Sequence, residues 1–197
     1  MIPSVQIATA DDEPRITAVM TLSFSADPVA RWTYPDPHDY FKNFPSIVRA
    51  FRSAFEHNTV YAVDDFRGAA LWLPPNVQPQ EDELAALFQQ TMSESHQQEV
   101  FAMIEQMDRY HPDEPHWYLP LLGVDPTLHG NGYGSALMHH TLTACDRENA
   151  PAYLEASSSR NLALYQRYGF ELLGTIQVGS SPTFFPMLRK PRSQDRE

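Results

Sequence analysis

Hydrophobic and polar positions follow two different periods along the chain, and each period predicts one kind of element. Short runs that alternate or are continuously apolar predict strands, and these runs are residues 4–8, 59–63, 69–73, 117–124, 152–156, 171–178 and 183–188. Apolar residues that recur three and four apart predict helices, and these stretches are residues 16–24, 41–55, 135–147 and 161–168, with two more helices between 81 and 107. The runs at 59–63 and 69–73 predict a hairpin.

The stretch between the first two predicted helices breaks the helical period. It contains Asp27-Pro28 and the run Tyr34-Pro35-Asp36-Pro37. Because proline lacks a backbone donor and interrupts helical patterns, this stretch is predicted to be a loop rich in proline and aromatic residues.

The order of the predicted elements is strand, helices, two strands, helices, and then strands alternating with helices, which is typical of the α/β class. With 197 residues and 42% hydrophobic composition, the chain is long enough to build one core. No internal repeat and no linker rich in glycine or serine divides it. We therefore expect one domain over residues 1–190, followed by a disordered polar tail over 191–197.

The net charge of -11, from 14 basic and 25 acidic residues, argues against nucleic-acid and anionic-membrane partners. It suits a cationic amine substrate, although solubility alone also explains it.

The single cysteine, Cys145, excludes an internal disulfide, and its place on the apolar face of a predicted helix indicates packing. The start of the chain does not look like a leader, and no apolar stretch is long enough to span a bilayer, which predicts a cytoplasmic protein. Monomer and homodimer both stay open.

Three glycines, Gly130, Gly132 and Gly134, lie between a predicted strand and a predicted helix. Glycines expose the backbone N–H groups of a turn, and the start of a helix adds the positive end of its dipole. Together these features predict a phosphate-binding loop, whose residues are His129, Gly130, Asn131, Gly132, Tyr133, Gly134 and Ser135.

Two other nucleotide-binding loops contain similar glycines. The dinucleotide-binding loop has a third Gly or Ala where this chain has Leu137, which argues against it. It is followed about 20 positions later by an acidic residue, and Glu155 lies at such a position. That loop also opens its domain, whereas this one follows more than half of the chain. A Walker loop needs Lys-Ser or Lys-Thr after the last glycine, and neither follows. The glycines alone therefore leave a weak NAD alternative and exclude a Walker loop.

The wider pattern resembles the two signature motifs of the GNAT superfamily of N-acetyltransferases. These motifs are Val124-Asp125-Pro126 with the glycine loop and its helix, and Leu154-Glu155-Ala156 with Asn161, Leu164-Tyr165 and Gly169-Phe170. Shorter stretches, such as Glu114-Pro115-x-Trp117 and Arg160-Asn161-Leu162, are similar to puromycin N-acetyltransferase at matching spacings. The family usually has Arg or Gln where this chain has His129.

The resemblance implies a single GNAT-type domain, with a mixed, mostly antiparallel sheet flanked by helices. In that fold two central parallel strands, here the ones ending near Val124 and Ala156, splay apart. It also implies acetyl-CoA as the cosubstrate. The backbone groups of Leu122 and Val124 would pair with its pantetheine arm as an added strand would. Asn161 would bond to the same arm or cap the helix that follows.

The resemblance further implies transfer of acetyl to a primary amine by direct attack in a ternary complex. Tyr165 is the predicted general acid, because a phenol with a pKa of about 10 is protonated at neutral pH. Glu155 is the predicted base, because a carboxylate in an apolar strand is costly unless it is solvated, paired or used. The alternative interpretation of Glu155 is a structural anchor. The alternative interpretation of Tyr165 is a side chain that packs in the core.

Aromatic side chains are the candidates for the acceptor pocket, and they are Trp32, Tyr34, Trp72 and Tyr118. The histidines match no zinc-ligand spacing, so no metal is predicted. A small-molecule amine is the favoured acceptor. A protein or peptide acetyltransferase acting on N-termini or lysines, and a non-catalytic acyl-CoA-binding module, stay as alternatives.

Overall fold

The computed structural model describes residues 3–192, and within that range it contains seven strands and eight α-helices. The strands are β1 (Val5–Ile7), β2 (Val60–Val63), β3 (Gly68–Leu73), β4 (Trp117–Val124), β5 (Ala152–Ala156), β6 (Glu171–Leu172) and β7 (Phe185–Arg189). The helices are α1 (Glu13–Ser23), α2 (Pro28–Thr33), α3 (Pro37–Arg49), α4 (Ser53–Glu56), α5 (Glu81–Thr91), α6 (Glu94–Asp108), α7 (Tyr133–Arg147) and α8 (Ser159–Arg167). Residues 193–197, most of the predicted tail, lie outside the described residues.

All seven strands form one sheet in the order β1-β2-β3-β4-β5-β7-β6. Neighbouring strands are antiparallel except β4 and β5, which are parallel. The predicted α/β fold with a mostly antiparallel sheet flanked by helices is confirmed. The predicted hairpin is β2–β3, and its strands pair from Val60 with Leu71 to Val63 with Gly68.

The proline-rich stretch is helical, so its prediction as a loop was wrong. Asp27 and Asp36 are the N-caps of α2 and α3, and each carboxylate accepts two backbone N–H groups of the first turn. Pro28 and Pro37 occupy the first helical position, where the missing donor costs nothing. The two Asp-Pro pairs are therefore helix starts.

Two further boundaries differ from the prediction. The helix expected over 41–55 is interrupted between α3 and α4. The strand expected over 171–178 pairs only as β6, with a single bridge from Ile176 to Phe184 beyond it.

The sheet carries a hydrophobic core on each face. One core packs α1 and α3 on the sheet through residues such as Ile16, Met20 and Phe44. The other packs α7 and α8 through residues such as Leu137 and Tyr165. The sheet is therefore the middle layer between the two cores.

A bulge in β4 reverses which face its side chains occupy. The pairing with β3 shifts between Leu71 and Leu73, so β4 has one extra residue there. Leu119 packs in the core beside α7, whereas Leu121 packs in the core beside α1. Strict alternation would put both on one face.

Candidate active site

The parallel strands β4 and β5 part soon after they begin. Their ladder contains only the pairs Trp117 with Ala152 and Tyr118 with Tyr153. Pro120, which has no N–H to donate, lies where the strands diverge. The rest of β4 therefore presents an unpaired edge toward β5, as the resemblance implied. The space between the two diverging strands is called the gap below.

The backbone polar groups of Leu122 and Val124 face this open edge. The Asp125 N–H donates to Arg67 O over 2.9 Å and so points toward β3. Backbone groups alternate in direction along a strand, so Val124 and Leu122 point the other way. The Val124 carbonyl oxygen lies 3.2 Å from His129 Nε2. An extended ligand in the gap would meet the N–H groups of Leu122 and Val124 and the Leu122 carbonyl oxygen, whereas the Val124 carbonyl oxygen is already within hydrogen-bond distance of His129.

A cavity of about 660 Å³ runs through the gap. At one end its wall is the glycine loop, from Leu128 to Gly130 and from Gly132 to Ser135, whereas Asn131 is not part of the wall. At the other end the wall is apolar, and the residues that form it include Phe24, Phe44, Ile47, Phe51, Leu84, Phe88, Met103 and Phe184. The cavity thus joins a phosphate-binding turn to an apolar chamber.

The glycine loop has a conformation that only glycine adopts without strain. Gly130 and Gly132 have φ angles of 84° and 83°, and Gly132 is the N-cap of α7. A methyl group added at either position would meet no atom within 4 Å, so the loop is open above them. Asn131 is exposed, and its Nδ2 donates to Leu128 O over 2.9 Å. Tyr133 is buried, and its hydroxyl accepts from Arg67 over 3.0 Å.

Tyr165 lies on α8 and lines the cavity, although its residue is almost fully buried. Burial raises the pKa of its phenol, and the negative charge of Asp27 raises it further. The hydroxyl therefore keeps its proton at neutral pH and has a proton to donate.

Glu155 lies on β5 and lines the same cavity. Its side chain is 3% exposed, and its Oε1 is buried without a hydrogen-bond partner among residues 3–192. His111 Nε2 is 3.1 Å from this oxygen, which is within charge-pair distance. Burial raises the pKa of the neighbouring Tyr118 and Tyr153 phenols, and the Glu155 charge adds to the effect.

Asp27 and Ser157 also line the cavity, and sequence reasoning missed both. Ser157 Oγ donates to Asp27 Oδ2, while Asp27 Oδ1 accepts the N–H groups of Val29 and Ala30 over 3.0 Å. Burial raises the pKa of Asp27, and these hydrogen bonds oppose the rise. The cavity wall therefore carries two carboxylates, Asp27 and Glu155.

The remaining predicted ligand residues lie on the cavity wall with different local roles. Asn161 lines the cavity, but the N-cap of α8 is Ser158, whose Oγ accepts the Arg160 N–H. Ser135 lines it near the start of α7, and its carbonyl accepts the Tyr168 hydroxyl over 2.7 Å. That bond ties α8 to the glycine loop.

Of the four predicted acceptor-pocket aromatics, the structure brings only Tyr118 to the cavity wall. Trp72 is 0% exposed and packs against α7, because β3 alternates and turns it to that face. The Tyr34 hydroxyl bonds Thr91 in the core beside α3. Trp32 Nε1 donates to Ser180 Oγ, and its ring packs on His96. The cavity wall therefore does not include three of the predicted residues, Trp32, Tyr34 and Trp72. Its aromatic side chains are instead mostly phenylalanines.

The prediction that Cys145 packs in the core is confirmed. Cys145 is fully buried on α7, and burial raises the pKa of its thiol to about 12. Over residues 3–192, no three His, Cys, Asp or Glu side chains are grouped so that they could hold a metal ion. None of the helices in the same range has the length and apolarity needed to cross a membrane.

Three comparisons bear on this arrangement. Residues 66–170 match the Acetyltransferase (GNAT) family. An uncharacterized N-acetyltransferase of Schizosaccharomyces pombe is 31% identical over 87 residues, which are 43% of this chain and 35% of that relative. The chain thus spans about a third of the length of the curated relative that it matches.

Solved structures share the fold over the whole chain. A protein from Corynebacterium glutamicum, described as histone acetyltransferase HPA2 and related acetyltransferase, is 27% identical with a TM-score of 0.73, and each chain is covered completely. Arylalkylamine N-acetyltransferase 2 from Aedes aegypti is 14% identical with a TM-score of 0.70 over 98% of this chain and 100% of its own. The second likeness shows the fold alone.

The fold and the family match together define the class of protein to which the chain belongs. Since the family match covers just over half of its residues, the chain belongs to the GNAT acetyltransferase family. The likeness to puromycin N-acetyltransferase within that family stays a prediction.

Proposed function

We propose that this chain transfers acetyl from acetyl-CoA to the primary amine of a small molecule with an apolar body. The observation that carries the proposal is one cavity with a phosphate-binding turn at one end, an apolar chamber at the other, and Tyr165, Glu155 and Asp27 on its wall.

The glycine loop and the start of α7 supply N–H groups for the pyrophosphate of the cosubstrate. Leu122 and Val124 supply the strand edge for its pantetheine arm, and Asn161 a side-chain amide beside it. Acetyl-CoA provides the thioester. The chain provides the orientation and the proton transfers.

Buried carboxylates attract an ammonium group, so Asp27 and Glu155 draw the acceptor nitrogen toward the middle of the cavity. The phenylalanines of the chamber fit an aryl or alkyl body. Glu155 takes one proton from the ammonium, and the free nitrogen attacks the thioester carbonyl. As the C–N bond forms and the C–S bond breaks, Tyr165 gives its proton to the thiolate and regains one from the nitrogen.

The test is acetyl-CoA consumption with an amine panel, followed by the release of free thiol and the mass of the product. The panel contains arylalkylamines, polyamines, amino-acid amides, puromycin and short peptides with a free N-terminus or a lysine. We expect turnover with amphipathic small amines. Turnover with peptides alone would favour a protein acetyltransferase, and binding without turnover would favour a non-catalytic module.

Tyr165→Phe is expected to lower kcat about 100-fold or more, because it removes the proton donor and little else. Tyr61→Phe is the matched control, since Tyr61 is also a buried tyrosine of the core beside α7 but does not line the cavity. Full kcat in Tyr165→Phe across the panel would show that Tyr165 is not the acid.

A further inference from the structure

The Glu155 carboxylate lies between two cavities. On one side it lines the main cavity, and on the other its Oε1 is 3.1 Å from His111 Nε2. His111 lines a second cavity of about 140 Å³, whose wall is formed by Asn76, Val77, Gln78, Tyr118 and residues 111–116. Tyr118 belongs to both walls. The His111 side chain is 28% exposed, so the imidazole connects a buried carboxylate to solvent.

Aromatic rings hold His111 in this position. Its ring centroid lies 4.3 Å from that of Tyr153, 4.8 Å from that of Tyr118 and 5.5 Å from that of His116. Packing therefore fixes the imidazole beside Glu155. The Glu155 Oε1 atom has no hydrogen-bond partner among the described residues that would hold a proton on it.

The proposed reaction leaves one proton to dispose of. An acceptor that enters as an ammonium ion and leaves as an amide loses two protons, of which the coenzyme thiol takes one. The other stays on Glu155 until it is released. The Glu155 side chain is only 3% exposed even without substrates. Substrates in the main cavity would cover it further, so release needs a second route.

We infer that His111 is the outlet for this proton and restores the Glu155 carboxylate after each turnover. The proton leaves Glu155 Oε1, the His111 Nε2–H bond forms, and the resulting imidazolium loses its other proton from Nδ1 to water in the second cavity. Exchange with that water then returns a proton to Nδ1 and removes the one on Nε2, so that Nε2 can accept again. The inference rests on the proposed function, and it makes His111 a positioning residue that acts through Glu155. Histidine suits this task because both ring nitrogens exchange protons near neutral pH.

Other titratable groups face the pair from every element packed around it. They come from α6, the segment after it, β4 and β5, and they are Asp108, Tyr110, Asp113, Glu114, His116, Tyr118 and Tyr153. Of these, His116 has a pKa lowered by burial, and its Nδ1 lies 2.8 Å from Glu114 O. His111 is the one that an ion-pair distance joins to Glu155.

The test compares His111→Gln with wild type on an accepted amine whose pKa is near about 10. At pH 7 we expect kcat to fall about tenfold or more, with kcat/KM changed less, because the proton is released after the product has formed. The deficit should shrink as the pH approaches the pKa of the amine, because free amine brings no proton to remove. Added imidazole should restore activity to His111→Gln but not raise that of wild type. His57→Gln, an exposed histidine after α4, is the control.

His111→Phe keeps the aromatic packing and should show the same deficit, which guards against a folding defect. Acetyl-CoA affinity should be unchanged in both variants. Wild-type kcat in His111→Gln at pH 7 would overturn the inference, as would an equal loss of kcat at every pH without a response to imidazole. If wild type acetylates no amine, the proposed function fails, and the outlet fails with it.

Discussion

Asp27 shows how one side chain can serve the fold and the site at the same time. Its Oδ1 caps α2, while its Oδ2 binds Ser157 on the cavity wall. The Asp-Pro pair is a local signal for the cap, because aspartate favours the N-cap and proline the first helical position. The approach of Asp27 to Ser157, 130 positions away, has no local signal. The contact between His111 and Glu155 could not be predicted for the same reason. Tyr165 and Glu155 could, because they lie within a recognisable local motif.

Asp27→Asn should weaken the binding of cationic acceptors without harming the fold. Asparagine caps helices as well as aspartate does, and its amide can still bond Ser157, but it has no charge for an ammonium group. We expect KM for such amines to rise about tenfold or more, with kcat changed less. Steady-state kinetics check this, and Asp36→Asn, at the exposed cap of α3, should behave as wild type.

The same variant should be at least as stable as wild type at pH 7. Burial raises the pKa of Asp27, so the folded state favours its protonated form. The stability gained from that proton is present below the unfolded pKa and is lost as the pH rises through the folded one. Asp27→Asn removes the cost of the buried charge at neutral pH, and its advantage in thermal unfolding should vanish below a pH of about 4. A lower Tm at pH 7 would contradict the burial argument.

Among the elements, those fixed by local pattern were predictable and those fixed by pairing were not. The β2–β3 hairpin and α7 follow from period and turn residues. The bulge that sends Leu119 and Leu121 to opposite faces depends on the register with β3, which a strand's own period does not encode. The prediction of Trp72 as an acceptor-pocket residue also depended on which face of β3 it occupies, and Trp72 faces α7.

The start of α7 uses its glycines for two different purposes, which substitution can separate. Gly132 needs a positive φ, so Gly132→Ala should cost about 1–2 kcal/mol of stability. Gly134 is already helical, and an added methyl would lie 3.6 Å from Leu164 and 3.8 Å from Leu122, both on the cavity wall. Gly134→Ala should therefore keep or raise the Tm yet weaken acetyl-CoA binding. Thermal unfolding and calorimetric titration measure the two effects, and unchanged affinity in Gly134→Ala would place the cosubstrate elsewhere.

At the scale of the whole molecule, the net charge of -11 has two interpretations that the fold does not separate. Charge serves solubility, or it draws cationic acceptors toward a cavity that already has Asp27 and Glu155 on its wall. The two differ in their response to salt. Screening shortens the reach of the field from about 30 Å at 0.01 M to about 10 Å at 0.1 M ionic strength.

If the charge steers the acceptor, kcat/KM for an ammonium substrate should fall several-fold across that salt range. An amine that is neutral at the assay pH should show a smaller change, and it is the control within the same preparation. The argument depends on the difference between the two amines, because salt also alters the binding of anionic acetyl-CoA and that effect is common to both. Equal salt dependence would leave solubility as the role of the charge, and selection of the acceptor would then depend on Asp27, Glu155 and the phenylalanine chamber alone.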